Sequence, residues 1–156
     1  GAERAEYRMS QEEYRLGVDR LRLAATLQYT LPGYPSLYYG DEIGMYGFSD
    51  PWNRRTFTWD KIDSGLHDFY VRLGKMRREN SADFSQELRF FDLDTGVIAY
   101  TRGSLLVVVN ASQNDYQWPA MIQSLLFSAG NASITESGIL VSRMSAAVFR
   151  LRKEYD

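Results

Sequence analysis

The chain has 156 residues, and 18 Lys and Arg against 20 Asp and Glu give it a formal net charge of −2. With 44% hydrophobic and 24% charged residues, its composition argues against wholesale disorder. The near-neutral balance argues against a nucleic-acid partner, which requires a basic surface to neutralise phosphates. No segment approaches the roughly 20 consecutive apolar residues of a membrane-spanning helix, so we expect no membrane partner either.

Cysteine is absent and His67 is the single histidine. Disulfides, thiolate metal sites, cysteine nucleophiles and a Ser-His-Asp triad are therefore not expected, and we predict neither a metal nor a cofactor. No signal peptide is visible, which together with the lack of cysteine favours a cytoplasmic location. Aromatic residues make up 14% of the chain, and residues 29–59 hold a dense share of them.

Two helices are predicted in the first half of the chain. Ser10 and Glu13 form a capping box, and apolar residues at helical spacing continue from there to Thr30, ahead of a Pro-Gly stop. This apolar face is wide enough to pack against a sheet. A second helix is expected over residues 63–80, with cations in its last turn. Residues 80–87 then have the composition of a linker.

A short strand and a long loop lie between the two helices. Residues 36–40 have a strand-like pattern, and an irregular stretch of about twenty residues follows from Asp41 to Lys61. Loops of that length are uncommon in compact domains unless they have a function. The isolated strand leaves two options open: it joins a C-terminal sheet, or the first 80 residues are the end of a larger domain.

From residue 88 onward the pattern changes from helical to strand-like. Short strands separated by turns with glycine predict an antiparallel β-sandwich, so the chain as a whole has an α+β pattern. The predicted strands are Leu88–Phe91, Val97–Arg102, Leu105–Asn110, Tyr116–Trp118, Ser124–Phe127, Ser133–Glu136 and Ala147–Arg152.

The loop between the helices has the chemistry of a carbohydrate site. Sugar rings stack on aromatic side chains, and neighbouring hydroxyls pair with carboxylate and guanidinium groups. Asp50 and Arg54, four residues apart, could form such a pair or a salt bridge that only fixes the loop. A glycosidase acid/base pair is not expected, because Asp41 and Glu42 are adjacent and would point to opposite faces of an extended backbone.

The same loop resembles the α-amylase family of glycoside hydrolases, in particular its neopullulanase, cyclomaltodextrinase and maltogenic amylase branch. The residues that carry the resemblance are Leu31-Pro32-Gly33-Tyr34-Pro35-Ser36-Leu37-Tyr38-Tyr39-Gly40-Asp41-Glu42-Ile43-Gly44-Met45, then Asp50-Pro51-Trp52-Asn53-Arg54-Arg55, then Trp59-Asp60. The resemblance implies that residues 1–82 are the end of a catalytic TIM (β/α)8 barrel, with its seventh helix, eighth strand and eighth helix. Residues 84–156 would then be the C-terminal β-sandwich domain.

The resemblance also implies a function. The parent enzyme would hydrolyse α-1,4 glucosidic bonds of α-glucan oligosaccharides or polysaccharides with retention, and α-1,6 bonds are a further option. Asp50 and Arg54 would bind substrate and Glu42 would support the site. The family's catalytic carboxylates lie on earlier barrel strands, so we expect no catalytic residue and no hydrolysis from this chain alone. Exposed barrel faces would favour self-association.

An alternative class is a non-catalytic carbohydrate-binding or structural module. Affinity for maltooligosaccharides that depends on Arg54 would indicate a binding module. A third option is an ordinary α+β domain, which requires residues 37–40 to pair with the sheet of residues 88–152.

Overall fold

The computed structural model describes residues 7–93 and 95–152. The helices are α1 (Gln11–Thr30), α2 (Ser64–Glu79) and α3 (Ser81–Phe84), with a 3₁₀ turn at Asp41–Ile43. The strands are β1 (Leu88–Phe91), β2 (Val97–Arg102), β3 (Leu105–Asn110), β4 (Tyr116–Trp118), β5 (Ile122–Ala129), β6 (Ala132–Thr135), β7 (Gly138–Val141) and β8 (Ser145–Leu151).

Both long helices begin at the caps that the sequence predicts. The Ser10 Oγ accepts the Glu13 N–H at 3.2 Å, and a Glu13 carboxylate oxygen accepts the Ser10 N–H at 2.8 Å. Asp63 caps α2 by accepting the Leu66 N–H at 2.9 Å. Because these bonds satisfy backbone donors that have no partner within the helix, they fix where each helix starts.

The strands form two antiparallel sheets. One has five strands in the order β1-β2-β3-β8-β5, and the other has three in the order β4-β7-β6. A cluster of buried apolar side chains joins the two sheets face to face. The prediction of a mixed chain, with helices followed by antiparallel sheet, is confirmed. The cluster between the sheets contains Val97, Ala99, Leu106, Val108, Ile122, Ile139, Val141, Ala147 and Phe149.

The helices cover the other face of the five-stranded sheet. Leu66, Phe69 and Leu73 of α2 share one buried cluster with Tyr100 and Val107 of the sheet. Strand β3 is consequently buried at all six positions. This explains why its sequence is a nearly continuous apolar run and does not alternate between apolar and polar residues. Leu23 and Ala25 of α1 belong to the same cluster, so the predicted packing of the first helix against a sheet is observed.

Residues 80–87 are not a linker, as the sequence suggested, but part of the core. Helix α3 buries Phe84, which is 5% exposed. Its neighbour Asp83 accepts the backbone N–H and the hydroxyl of Ser104 at 2.8 and 2.7 Å, and it pairs with Arg150 at 3.3 Å. Because these partners lie 21 and 67 positions away, the local composition could not show the role of this segment.

A buried arginine joins the helical region to the sheet. The Arg102 side chain, in a residue that is 3% exposed, donates to the carbonyl oxygens of Thr30 at 3.1 Å, of Gln86 at 3.0 Å and of Phe84. Burial and the nearby Arg77 lower the pKa of the Arg102 guanidinium. Three carbonyl acceptors, one at the end of α1 and two within residues 84–86, thus hold one buried cation at the end of β2.

Several expectations for strands need correction. Residues 34–38 have no regular secondary structure, residues 39–40 form a turn, and no described strand pairs with them, so the predicted strand at 36–40 is not formed. This outcome also contradicts the option in which that strand joins the sheet. Strand β7 was not predicted, and β5 is longer than expected because two irregularities in its pairing with β8 disturb its alternation. Strands β6 and β8 each lie one to two residues earlier than predicted.

Candidate functional site

The loop between α1 and α2 starts with a turn that Glu42 closes. The Glu42 carboxylate accepts the Gly40 N–H at 2.8 Å, and the Met45 N–H donates to the Gly40 carbonyl at 2.9 Å. The backbone at Gly40 is left-handed, with φ of 95°, a conformation open to glycine at little cost. Burial, followed by the charge of Glu42, raises the pKa of the neighbouring Asp41 carboxyl. Glu42 therefore shapes the turn from which the loop leaves.

A hydrogen bond between the helices anchors the loop. The Tyr14 phenol donates to an Asp63 carboxylate oxygen at 2.7 Å, and the Asp63 N–H donates to the carbonyl of the buried Ile43 at 3.0 Å. A Cβ built on Gly44 would lie 2.0 Å from the Tyr14 hydroxyl oxygen. The α1 side chain, the α2 cap and the loop thus meet at one point, where only glycine leaves room for the phenol.

The charges at this anchor are consistent with its geometry. Burial alone would raise the pKa of the Asp63 carboxyl, but hydrogen bonds from the Leu66 N–H and the Tyr14 phenol outweigh it and hold the pKa below its usual value. Burial and the bond to Asp63 raise the pKa of Tyr14 to about 12. Asp63 is therefore ionised and Tyr14 is protonated at neutral pH.

The predicted pair of Asp50 and Arg54 is formed. The Arg54 Nε and an Asp50 carboxylate oxygen lie 2.8 Å apart, and the Arg54 side chain is 68% exposed and that of Asp50 62%. Two turns hold them in place, because the Trp52 N–H donates to the Ser49 carbonyl at 3.0 Å and the Arg54 N–H to the Pro51 carbonyl at 3.1 Å. The pair therefore combines the geometry of a salt bridge with access to a ligand from solvent.

Aromatic side chains in this part of the chain are strongly exposed. Tyr34 is 100% exposed and Trp59 80%. The rings of Tyr38 and Tyr39 lie 4.9 Å apart, and the rings of Phe57 and Trp59 lie 4.5 Å apart. Aromatic rings, a carboxylate and a guanidinium exposed in one part of the chain are the groups that bind sugar rings.

We also looked for a metal site and for a membrane-spanning helix. Within residues 7–93 and 95–152, no group of three or more His, Cys, Asp or Glu side chains is placed to hold a metal ion. None of the helices described is long and apolar enough to span a membrane. His67 lies on the surface, 3.8 Å from Asp68.

Glu42, Asp50 and Arg54 stand out in the sequence as candidates, but the anchor between Tyr14 and Asp63, which Gly44 adjoins, does not. The partner of Tyr14 lies 49 positions away, so no local pattern reveals the bond. Asp63 was recognised only as a possible helix start. The glycine itself, between Ile43 and Met45, was the one available sign of a close approach at Gly44.

No family model matches the chain. It is 48% identical over 86 residues to the amylopullulanase of Thermoanaerobacter thermohydrosulfuricus, a match that covers 55% of this chain and 6% of that protein. It is 38% identical over 106 residues to the cyclomaltodextrinase of Thermoanaerobacter pseudethanolicus, covering 61% of this chain and 18% of that protein. The chain is homologous to glycoside hydrolases of the α-amylase family.

The matches lie in the C-terminal portion of these α-amylase family enzymes, and the chain spans only a small share of their length, as the coverage shows. Among solved structures, the α-amylase of Geobacillus thermoleovorans, complexed with acarbose, superposes with a TM-score of 0.72 at 24% identity. That superposition covers 88% of this chain and 34% of the amylase, and it supports the fold. The family resemblance that the loop motif predicts is confirmed.

Proposed function

We propose that this chain is the C-terminal part of an α-glucan-hydrolysing enzyme that cleaves α-1,4 glucosidic bonds with retention, with α-1,6 bonds as an additional option. Residues 1–82, of which the first six lie outside the described residues, would end a (β/α)8 barrel. Residues 84–156, described as far as residue 152, would form its C-terminal sandwich. The relatives named amylopullulanase and cyclomaltodextrinase support this assignment.

The unpaired segment at residues 36–40 supports the barrel assignment. As the eighth strand of a barrel, it would pair with a strand on either side, and the described residues supply neither. The loop that follows would then leave the C-terminal end of that strand, where TIM barrels carry their active sites. In a complete barrel, the neighbouring strands and loops could cover the side chains of Tyr34 and Trp59, which are exposed here.

The observation that carries the proposed sugar site is the exposed pair of Asp50 and Arg54, 2.8 Å apart. A carboxylate accepts and a guanidinium donates, so the pair can bind two adjacent hydroxyls of one glucose unit. Glu42 would act indirectly, because its bond to Gly40 shapes the turn from which this loop leaves. The glucan would lie along the loop, between this pair and the exposed aromatic rings.

Catalysis would come from carboxylates outside this chain. A retaining glycosidase requires two carboxyl groups about 5–5.5 Å apart on either side of the glycosidic bond. The adjacent Asp41 and Glu42 do not offer that arrangement, since Asp41 is partly buried and Glu42 is bonded to the turn. We therefore propose that the chain alone hydrolyses nothing.

The pure chain tests this proposal when it is incubated with maltohexaose and assayed for reducing sugar. We expect no release above the blank, and clear release would contradict the assignment. Calorimetric titration of the same sample distinguishes the alternative, a non-catalytic binding module. A module that binds through the loop would have millimolar or tighter affinity for maltooligosaccharides there, Arg54→Ala would remove that loop binding, and Lys75→Ala would not. Lys75 is a matched control because it pairs with Glu79 at the same i,i+4 spacing and similar exposure.

A further inference from the structure

An open groove lies in the sandwich, lined wholly by residues from the segment 91–152. It consists of two adjoining cavities of about 520 and 510 Å³ that share Pro119–Met121 and Arg152 as a common wall. Each cavity lies within the range of about 300–1,000 Å³ that is usual for small-molecule sites. Because the cavities adjoin, the groove suits an elongated ligand better than a single compact one.

The first cavity has a rigid aromatic wall. Phe91 and Trp118 meet edge to face with ring centroids 4.7 Å apart, and Trp118 packs against the core between the two sheets. Leu106, 1% exposed, also lines this cavity. Phe91 is 41% exposed and Met121 60%, so apolar surface faces the opening. Such a wall offers a ring platform that needs no rearrangement to bind a flat apolar face.

The polar groups of the groove match a neutral ligand rich in hydroxyls. Thr101 lines the first cavity, Thr135 and Ser137 line the second, and these side chains can donate and accept hydrogen bonds. The charged lining consists of Arg152, shared by both cavities, and Glu136 in the second. One cation and one anion leave the groove without net charge, which disfavours phosphate-rich or strongly acidic ligands.

We propose that this groove is a second α-glucan-binding site, separate from the loop that carries Asp50 and Arg54. The choice of an α-glucan rests on the proposed function, whereas the groove itself rests on the geometry of the sandwich. Sugar rings would stack on the Phe91 and Trp118 wall, and Arg152 would donate to their hydroxyls. Glu136 is the one carboxylate among the groove-lining residues, so the site binds without cleaving.

The three tryptophans allow a direct test, because Trp52 and Trp59 lie in the loop and Trp118 lies in the groove. The chain is labelled with 5-fluorotryptophan and titrated with maltoheptaose while its three fluorine resonances are followed. Trp52→Phe and Trp59→Phe assign two resonances, which leaves Trp118 identified without replacing it. We expect the Trp118 resonance to shift saturably.

Met121→Glu should weaken the affinity read at Trp118 by about tenfold or more, because it places a charge on the exposed apolar wall. Val71→Glu is the matched control, since Val71 is 56% exposed on α2 and should leave the titration unchanged. A Trp118 resonance that does not move, or an equal affinity in Met121→Glu, would overturn this proposal. The loop resonances report separately: if Trp118 responds and they do not, the second site stands and the loop fails to bind in this chain.

Discussion

The phenol of Tyr14 and the carboxylate of Asp63, 49 positions apart in sequence, form a 2.7 Å hydrogen bond. Tyr14 belongs to α1, and Asp63 caps α2 and holds the Ile43 carbonyl at the start of the loop. One bond therefore links both helices to the segment proposed to bind glucan. The stability of this anchor and the placement of the loop are expected to vary together.

Removing the phenol tests the anchor. Tyr14→Phe should lower the free energy of unfolding by about 1.5 kcal/mol at pH 7, because an ionised, partly buried acceptor loses a donor. Urea denaturation measures this change. Tyr34→Phe, at a fully exposed position, is the control and should change the free energy by less than about 0.5 kcal/mol.

The effect of Tyr14→Phe should also depend on pH. The pKa of the folded Asp63 carboxyl lies below its usual value, so its ionised form stabilises the fold above the unfolded pKa of about 3.9. That contribution is lost as the pH falls through the lowered pKa. The difference between the two proteins should therefore be complete at pH 7 and shrink below about pH 4. A difference that grows on acidification would contradict this account.

The close approach at Gly44 gives a second prediction. Gly44→Ala would place a Cβ 2.0 Å from the Tyr14 hydroxyl oxygen at a φ of 77°, and we expect a loss of about 2 kcal/mol. Gly17→Ala is the control, because Gly17 lies in α1 with no heavy atom within 4 Å of the added carbon. That change should stabilise the helix by about 0.5–1 kcal/mol. Equal effects at the two glycines in thermal unfolding would refute the close contact.

The buried guanidinium of Arg102 gives a third prediction. Arg102→Lys keeps the charge but cannot reach all three carbonyl acceptors, so at least one buried oxygen loses its donor. We expect a loss of about 2–4 kcal/mol in urea denaturation. Arg89→Lys, whose side chain is 75% exposed and pairs with Glu87, should change the stability by less than about 0.5 kcal/mol. Comparable losses in the two variants would show that the carbonyl contacts contribute little.

The exposed aromatic residues predict self-association of the isolated chain. Tyr34 and Trp59 are 100% and 80% exposed, which favours contact between copies. Light scattering should show a mass that rises with concentration, and the double change Tyr34→Ser and Trp59→Ser should reduce it. Met121→Ser, at a 60% exposed position in the sandwich, serves as the comparison and should have a smaller effect. A chain that stays monomeric at every concentration would argue against this prediction.

The helices could be predicted closely because their information is local. The cap bonds of Ser10, Glu13 and Asp63 each span three positions, and such contacts are the ones that a linear pattern reveals. The continuous apolar run of β3 was also recognisable as a strand. Its burial by helices on one side and a second sheet on the other was only partly foreseen.

The predictions that failed concern segments whose partners are distant in sequence. The segment at 36–40 has the pattern of a strand but no described neighbour to pair with, and a strand exists only with its partner. Asp83 and Arg102 resemble surface charges in sequence, yet both bind partners from distant segments, and Arg102 is buried. In the candidate site, the spacing of Asp50 and Arg54 predicted their ion pair. The anchor between Tyr14 and Asp63 required the three-dimensional arrangement.

The central claim is that the Asp50 and Arg54 pair binds the glucan during hydrolysis. It is tested in a chimera in which residues 11–152 replace the matching segment of the Thermoanaerobacter pseudethanolicus cyclomaltodextrinase. The measurement is kcat/KM for maltohexaose, with unfolding curves to verify that each variant is folded. We predict that Arg54→Ala lowers kcat/KM by about 100-fold and that Lys75→Ala changes it less than about twofold. A folded Arg54→Ala chimera that keeps full kcat/KM would contradict the claim.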